Sequence, residues 1–293
     1  MLEVIDRVQL LVPDAAAVAG KWAALLGAEH DGEDRVSTLA AKRLSMRLGS
    51  SVIELLEPDG AGVAAEALKA RGRGHLYAAG ISTPDLAALA RRLDGRGVEA
   101  VREHGQLFVR LAVEGVPVPL VISQHEDRAP AGDVSFLYET TLLVKDAPAA
   151  VTLFAETFGL DDGGFEPIAS EPFGYAGTLS LFNAARLHRF EIISPTDVTK
   201  TMGRYFAREG VSYYMAFCES ACMAAIEQRA AEAGLGMTVD RPEGRGRDMT
   251  PDQMWLHPPA LGGMMLGLSR PTMAWAWSGH PDRVRPVDAG TAA

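Results

Sequence analysis

Apolar and polar residues follow two different periods along this chain. The apolar-rich residues 4–12 predict a strand, and residues 15–26 place apolar side chains at helical spacing before Gly27 stops the run. Three shorter strand-like runs follow, at residues 37–40, 44–48 and 51–56. The first 58 residues are therefore predicted to form a β-α-β-β-β unit.

The same plan recurs along the rest of the sequence. A connecting helix is predicted at residues 60–74, and then a strand, a helix and two further strands up to residue 122. The polar stretch 124–132 contains Pro130 and Gly132 and is predicted to be a linker, after which the plan starts again at residue 136. Self-similarity of this kind predicts a duplicated chain.

Two strands carry a carboxylate at their centre. They are SVIELLEP at residues 51–58 and LHRFEIISP at residues 187–195, with Glu54 and Glu191 lying 137 positions apart. Side chains alternate along a strand, so Phe190 and Ile192 share one face, and Glu191 lies on the other. A central carboxylate is costly on a dry, unpaired face. It costs little if that face lines a wet cleft, and the recurrence of this feature is a first sign of a duplicated chain.

Composition and charge narrow the classes of function. The 293 residues, with 47% hydrophobic content, favour two domains of about 130–150 residues. The net charge of −10 argues against nucleic acid or an anionic membrane as the main partner. No signal peptide or membrane-spanning run is recognised, and Cys218 and Cys222 are interpreted as reduced thiols. A cytoplasmic protein is expected.

Five segments carry a resemblance to a known family: IDRVQLLVPD at 5–14, IELLEP at 53–58, ETTLLVKD at 139–146, FEIISP at 190–195 and HPPALGGMML at 257–266. They resemble the vicinal oxygen chelate (VOC) superfamily, the group of glyoxalases, bleomycin resistance proteins and extradiol dioxygenases. The resemblance spans roughly residues 4–270 and is specific for the fold rather than for the reaction.

The resemblance implies an α+β fold of four βαβββ modules in two pairs, the glyoxalase/bleomycin resistance/dihydroxybiphenyl dioxygenase fold. Residues 1–126 and 133–271 would form the two domains, and 272–293 a tail whose last dozen residues are expected to be loose. Each pair of modules would surround a cleft in which up to four side chains bind one divalent metal ion (Zn, Ni, Mn or Fe). Such an ion acts as a Lewis acid on a substrate oxygen.

The metal-ligand positions of the family fall on unusual residues in this sequence. In the first half they fall on Arg7 and Glu54 and near Ala78 and Pro119, a set that predicts no metal, because arginine offers only donors. In the second half they fall on Glu139, Glu191, Tyr214 and Gly267, with His75 and Tyr213 as alternatives if the register of the second and fourth modules differs by one residue.

The candidate catalytic residues are Glu139, Glu191 and Tyr214, with the two glutamates acting as metal ligands or as an acid/base pair. The alternative is that each glutamate pairs with an arginine, Arg189 being the expected partner of Glu191. Arg7 and Glu54 are interpreted as a salt bridge where a metal would sit, or as an anion site. The candidate substrate-binding residues are Arg189, Tyr213, His257, Arg7 and Glu54.

Two functions remain open from the sequence. One is an isomerase or lyase that acts through an enolate on a small, partly apolar carbonyl or aromatic compound in the second-half cleft. The other is a metal-free protein that sequesters a small molecule, as bleomycin resistance proteins do. Extradiol dioxygenase chemistry is not expected, because the His-His-Glu ligand set is absent. The partner is expected to be a small molecule, and the chain a monomer or a homodimer.

Overall fold

The computed structural model describes residues 2–242, 244–246 and 249–287. The first half contains eight strands and three helices in this order: β1 (Val4–Leu11), α1 (Ala15–Leu26), β2 (Glu29–Val36), β3 (Ala41–Leu48), β4 (Ser51–Pro58), α2 (Val63–Arg71), β5 (His75–Thr83), α3 (Leu86–Gly95), β6 (Ala100–Glu103), β7 (Gln106–Val113) and β8 (Val116–Gln124).

The second half repeats this order: β9 (Phe136–Leu143), α4 (Ala147–Phe158), β10 (Glu166–Ser170), β11 (Tyr175–Leu181), β12 (Arg189–Pro195), α5 (Thr201–Glu209), β13 (Ser212–Glu219), α6 (Met223–Glu232), β14 (Met237–Asp240), β15 (Gln253–Leu256) and β16 (Met265–Ser269). The predicted α+β fold of four βαβββ modules in two pairs is therefore confirmed.

Each half forms one eight-stranded sheet with the same topology. The strand orders are β2-β3-β4-β1-β5-β8-β7-β6 and β10-β11-β12-β9-β13-β16-β15-β14. The first strands of the two modules pair antiparallel at the centre, as β1 with β5 and β9 with β13. Each of these central strands also pairs in parallel with the last strand of its own module, as β9 does with β12. The centre of each sheet is therefore made of four strands from two modules.

Aspartates start three of the helices that cover one face of the sheets. Asp14, Asp85 and Asp146 each accept a hydrogen bond from the backbone N–H three residues later, which caps α1, α3 and α4. On α4, Phe154 packs edge-on against Phe190 of β12 with ring centroids 5.0 Å apart. Because Phe190 faces the helices, the neighbouring residue Glu191 faces the opposite side, as the alternation predicts.

The second strand of the first module lies where the sequence predicts none. Residues 37–39 form one turn of 3-10 helix instead of the expected strand, and β2 precedes them as Glu29–Val36. Most of β2 is exposed at the edge of the sheet. An edge strand that buries almost nothing has no need of a hydrophobic pattern, so periodicity does not reveal it.

The two halves share contacts across their boundary. The amide and carbonyl groups of Gly49 and Ala131 bind each other reciprocally, which fixes the predicted linker against the first sheet. From the second half, the Tyr213 hydroxyl donates to the Pro119 carbonyl at 3.0 Å. Arg71 and Arg73 of the first half both bind the Glu209 carboxylate. One continuous buried core contains side chains of both halves.

Some predicted features fall on residues that the structure does not describe. The run 241–248 is interpreted from sequence as a mobile turn or a lid, but Glu243, Arg247 and Asp248 lie outside the described residues, and so do residues 288–293 of the tail. Among the described helices, none combines the length and the apolar character needed to cross a bilayer.

Candidate functional site

A cavity of about 550 Å³ lies on the face of the second sheet that is turned away from α4. Its lining residues include six aromatic residues, three methionines and three acidic residues. The lining residues are Glu139, Thr141, Ile168, Ala169, Ser170, Phe173, Tyr175, Glu191, Ile193, Thr201, Met202, Tyr214, Met215, Phe217, Thr238, Asp240, Gln253, Trp255, His257, Met265 and Trp277. The cavity thus combines an apolar wall with a few polar groups, as small-molecule sites do.

Glu191 lies at the centre of β12 and faces this cavity. The Thr141 hydroxyl donates a hydrogen bond of 2.5 Å to its carboxylate, and among the described residues no lysine or arginine pairs with it. Burial raises the pKa of Glu191 to about 8, and the neighbouring charge of Glu139 acts in the same direction. At neutral pH the carboxyl group therefore holds its proton most of the time.

Glu139 on β9 lines the same cavity but has a cationic partner. Arg189 Nε donates to its carboxylate at 2.6 Å, and Arg189 Nη1 donates to the Ser278 hydroxyl at 2.6 Å. The guanidinium is fully buried and lies over the Tyr138 ring, 5.1 Å from its centroid. Burial raises the pKa of Glu139, and Arg189 opposes that effect.

The alternative expectation, that Arg189 pairs with Glu191, is wrong. The parallel register of β12 and β9 places Arg189 opposite Glu139, whereas Glu191 lies opposite Thr141. Arg189 is also absent from the cavity wall, so its position does not match that of the predicted substrate-binding residue.

The adjacent tyrosines of β13 point in different directions. Tyr214 lines the cavity and packs edge-on against Tyr205 with centroids 4.8 Å apart, and burial raises its pKa to about 12, so that its hydroxyl stays protonated. Tyr213, predicted to bind substrate, lies instead in the core with its hydroxyl on Pro119. A register shift between Tyr213 and Met215 makes this possible and turns both Tyr214 and Met215 toward the cavity.

His257, a candidate substrate-binding residue from the sequence, lies in the cavity wall. One ring nitrogen is 3.0 Å from the Thr238 hydroxyl, and its backbone N–H binds the Gly236 carbonyl. His75, the alternative metal ligand, is buried in the first half beside the Arg73 carbonyl, and burial lowers its pKa to about 4. His75 is therefore not part of this site.

The first half provides an internal comparison for Glu191, because Glu54 occupies the matching position on β4. Arg7 Nη1 donates to the Glu54 carboxylate at 2.8 Å and Arg43 Nη1 at 3.3 Å, and the amides of Gln9 and Gln106 add two more hydrogen bonds. Burial alone would raise the pKa of Glu54, but the two arginines outweigh it and lower the pKa. The expected salt bridge is present.

Arg7 and Glu54 were also predicted to bind substrate, but neither side chain lines the second-half cavity. Nor do they line the first half's own cavity of about 280 Å³. Both are at most 5% exposed. They form part of a buried charge network rather than a cleft surface.

The metal that the family resemblance implies does not fit the residues present. Glu139, at the first ligand position of the second half, is the fourth residue of β9, and the fourth residue of β13 is Met215. Met215, rather than Tyr214, therefore holds the third ligand position. Gly267 on β16 holds the last one. A thioether and a glycine do not complete a site for a hard or borderline divalent ion. The buried Arg189 cation already compensates Glu139. Within the described part of the chain, no three His, Cys, Asp or Glu side chains converge.

Several cavity residues were not found by sequence reasoning. Thr141 and Phe217 lie on strands that were predicted, but nothing in their local pattern distinguishes them from core residues. Trp277 and Ser278 belong to the tail, which folds back as a short 3-10 helix at Met273–Trp277 and reaches the cavity. The concentration of tryptophan in the tail was the one available signal.

Comparison with known proteins supports the fold. No family model matches the sequence, and no curated protein gives a significant match. Among solved structures, a mutant of 4-hydroxymandelate synthase from Streptomyces coelicolor matches with a TM-score of 0.70 and 12% identity, covering 92% of this chain and 93% of that one.

Two further solved structures cover the same 92% of this chain. BphC, a halotolerant catechol dioxygenase, matches with a TM-score of 0.62 and 14% identity over 87% of its length. A xylose isomerase-like TIM barrel/4-hydroxyphenylpyruvate dioxygenase fusion protein matches with a TM-score of 0.65 and 12% identity over 49% of its length. The chain has the two-domain form of the vicinal oxygen chelate fold.

Proposed function

We propose that the protein is a metal-independent enzyme that moves protons in the second-half cavity, acting as an isomerase or lyase on a small, partly apolar carbonyl compound. The observation that carries this proposal is the contrast between Glu191 and Glu54. Both are buried at matching positions, but Glu54 is neutralised by two arginines whereas Glu191 faces a cavity with one hydroxyl partner. A buried carboxylate without a cationic partner among the described residues suits a functional role.

The reaction begins with removal of a proton from the carbon next to the substrate carbonyl. The Glu191 carboxylate accepts this proton, the C–H bond breaks, and its electron pair moves onto the carbonyl oxygen as an enolate. The Tyr214 hydroxyl donates a hydrogen bond to that oxygen. An isomerase then returns the proton from Glu191 to carbon, and a lyase expels a leaving group from the neighbouring carbon as the carbonyl re-forms.

The environment of Glu191 favours this role. Because burial raises its pKa, Glu191 is a stronger base when ionised than an ordinary glutamate. The surrounding apolar wall excludes water and strengthens the hydrogen bond to the enolate oxygen. The charge of Glu139, fixed by Arg189, helps keep the Glu191 pKa high.

The test uses incorporation of deuterium from D₂O at the carbon next to the carbonyl, followed by NMR across a panel of ketones and aldehydes. For a compound that exchanges, we expect Glu191→Gln to lower the exchange rate about 10²- to 10⁴-fold. Glu54→Gln, the matched control, should leave the rate unchanged, and so should a chelator. Full exchange in Glu191→Gln, or loss of exchange with chelator, contradicts the proposal.

The second candidate is a protein that binds and sequesters a small molecule. It is favoured by the wall of six aromatic residues and three methionines, which suits an adaptable apolar ligand without any chemistry. Under this function no compound exchanges deuterium, Glu191→Gln changes affinity little, and Phe173→Ala lowers affinity strongly.

A further inference from the structure

We propose that the ligand of the second-half cavity is an organic cation, a quaternary or protonated amine on an apolar body, held by the rings of Phe217, Trp255 and Trp277 with Asp240 beside them. This inference rests on the proposed function only in placing the ligand in that cavity. It does not depend on the reaction.

Three aromatic rings meet in one corner of the cavity. Phe217 packs against Trp255 with centroids 6.1 Å apart and an interplanar angle of 78°, and against Trp277 at 6.3 Å and 52°. All three residues line the cavity. Rings set at steep angles turn their electron-rich faces in different directions, which is the arrangement that surrounds an ammonium group.

Asp240 adds a negative charge next to this corner. Across the β14–β15 pair, Thr238 lies opposite Trp255 and Asp240 lies opposite Gln253. Asp240 is two residues from Thr238 and therefore lies on the same face of the sheet. All four residues line the cavity. No described residue forms an ion pair with Asp240. The ring corner and this carboxylate form one recognition surface for a cation.

The charges of the whole wall point the same way. Among the described lining residues, Glu139 is paired with Arg189 and Glu191 mostly holds its proton, so Asp240 is the acidic side chain that brings an unpaired charge, and no lysine or arginine lines the wall. The net charge of the chain is −10, which also attracts cations and repels anions. A carboxylate ligand would find no lysine or arginine in the described wall. An amine would meet both the aromatic rings and the Asp240 carboxylate of the wall.

Another tryptophan of the same tail shows the contrast. The Arg283 guanidinium lies over the Trp275 ring, 4.4 Å from its centroid, outside the cavity. Among the described residues, no arginine or lysine lies over Trp255 or Trp277 in this way. These two indoles line the cavity, and no cation of the described chain lies over them.

The proposed cation site is separate from Glu191. In the strand order of the sheet, β12 and β14 are separated by β9, β13, β16 and β15. An amine beside Asp240 thus binds at one side of the cavity, Phe217 and Tyr214 of β13 lie between, and the other end of the ligand meets Glu191. A ligand with an amine at one end and a carbonyl group at the other fits both parts of the wall.

The experiment measures equilibrium binding to the full chain by calorimetry with three probes of similar size: phenyltrimethylammonium, its neutral isostere tert-butylbenzene, and phenylacetate. We expect the cation to bind at least 10-fold more tightly than the isostere, and phenylacetate not to bind. Asp240→Asn and Trp255→Leu should each weaken cation binding about 3- to 10-fold without changing isostere binding. Asp31→Asn, which changes the net charge equally at an exposed site of the first half, should have no effect.

Equal or tighter binding of the isostere, binding of phenylacetate, or an equal effect of Asp31→Asn and Asp240→Asn would overturn the inference. Circular dichroism of each variant shows whether it is folded, and Asp240→Asn at an exposed position keeps the test valid if Trp255→Leu does not fold. A cation preference that persists in Glu191→Gln, with no deuterium exchange in any compound, upholds this inference and rejects the enzymatic function alone.

Discussion

At the scale of single residues, partners rather than position decide what a buried carboxylate can do. Glu54 and Glu191 occupy matching places in two copies of one fold, yet the pKa of Glu54 is lowered and that of Glu191 is raised to about 8. Two arginines and two amides surround the first, and one hydroxyl contacts the second. The first is a structural anion, and the second is available for chemistry.

The raised pKa of Glu191 makes stability depend on pH. Between the unfolded pKa near 4.5 and the folded pKa near 8, the folded state binds more protons than the unfolded state, so the free energy of unfolding falls as pH rises. We expect Glu191→Gln to remove this term. Relative to the natural chain, the variant should gain about 1 kcal/mol per pH unit across that window and nothing further above it. Urea unfolding at pH 5, 7 and 9 measures this, and a constant difference between the proteins contradicts it.

Arg189 is expected to be essential for stability, because its removal leaves Glu139 buried without a cation. Arg189→Met should lower the free energy of unfolding by roughly 3–5 kcal/mol. The double variant with Glu139→Gln should recover most of that loss, because the uncompensated charge is then gone. Denaturant unfolding of both variants checks this, and equal losses in the single and double variants would show that Arg189 acts through packing alone.

Alternation along β12 was enough to predict that Phe190 and Ile192 share one face and that Glu191 lies on the other. The partner of Arg189 was not predictable in this way, because it lies on another strand and depends on register. Ser278, which holds the other end of the guanidinium, is 89 positions away in the sequence. Contacts of that kind have no local signal.

At the scale of elements, bulges and close strand approaches set the site more than propensity does. The register shift in β13 moved the expected ligand position from Tyr214 to Met215. In the first sheet, Gly80 of β5 lies opposite Arg7 of β1, and a Cβ on Gly80 would be 1.8 Å from Arg7 Cγ. The strand pair leaves room for the arginine only because residue 80 has no side chain.

Gly80→Ala is therefore expected to displace Arg7 and break its hydrogen bonds to Glu54 and Asp6. The loss in unfolding free energy should be about 3 kcal/mol or more. Gly95→Ala is the matched control, since no heavy atom lies within 4 Å of the added Cβ at the end of α3. It should be neutral or stabilising by about 0.5 kcal/mol. Similar thermal melts for the two variants would argue against the steric explanation.

At the scale of the whole molecule, the two sheets are expected to unfold as one cooperative unit. Their core side chains form one buried cluster, and bonds such as that from Tyr213 to Pro119 cross the boundary. Native-state hydrogen exchange should give β1 and β9 the same opening free energy, while the edge strands β2 and β14 exchange faster. A stable state in which β9 exchanges and β1 does not would show that the halves unfold separately.

The duplicated architecture was predictable from the spacing of Glu54 and Glu191 and from the repeated helix stops. Three short strands, β6, β10 and β14, were not, because each has only four or five residues, and none of their side chains is fully buried. The folding of the tail onto the cavity was also missed, since Trp277 packs against a cluster that includes Tyr138, Met215 and Phe217 of the distant second sheet. Local pattern determined the plan of the fold, and long-range packing determined the cavity.

In the two halves, the arginine and the acid of the buried charge pair lie on opposite strands. The first copy has its arginine on the opening strand, as Arg7, and its acid on the closing strand, as Glu54, whereas the second has Glu139 on the opening strand and Arg189 on the closing one. Both residues of a pair must change to convert one arrangement into the other. If one residue changes first, the other is left as a buried charge without a partner. Since each copy balances its own charge, a chimera made of two first copies or two second copies would start from compensated pairs.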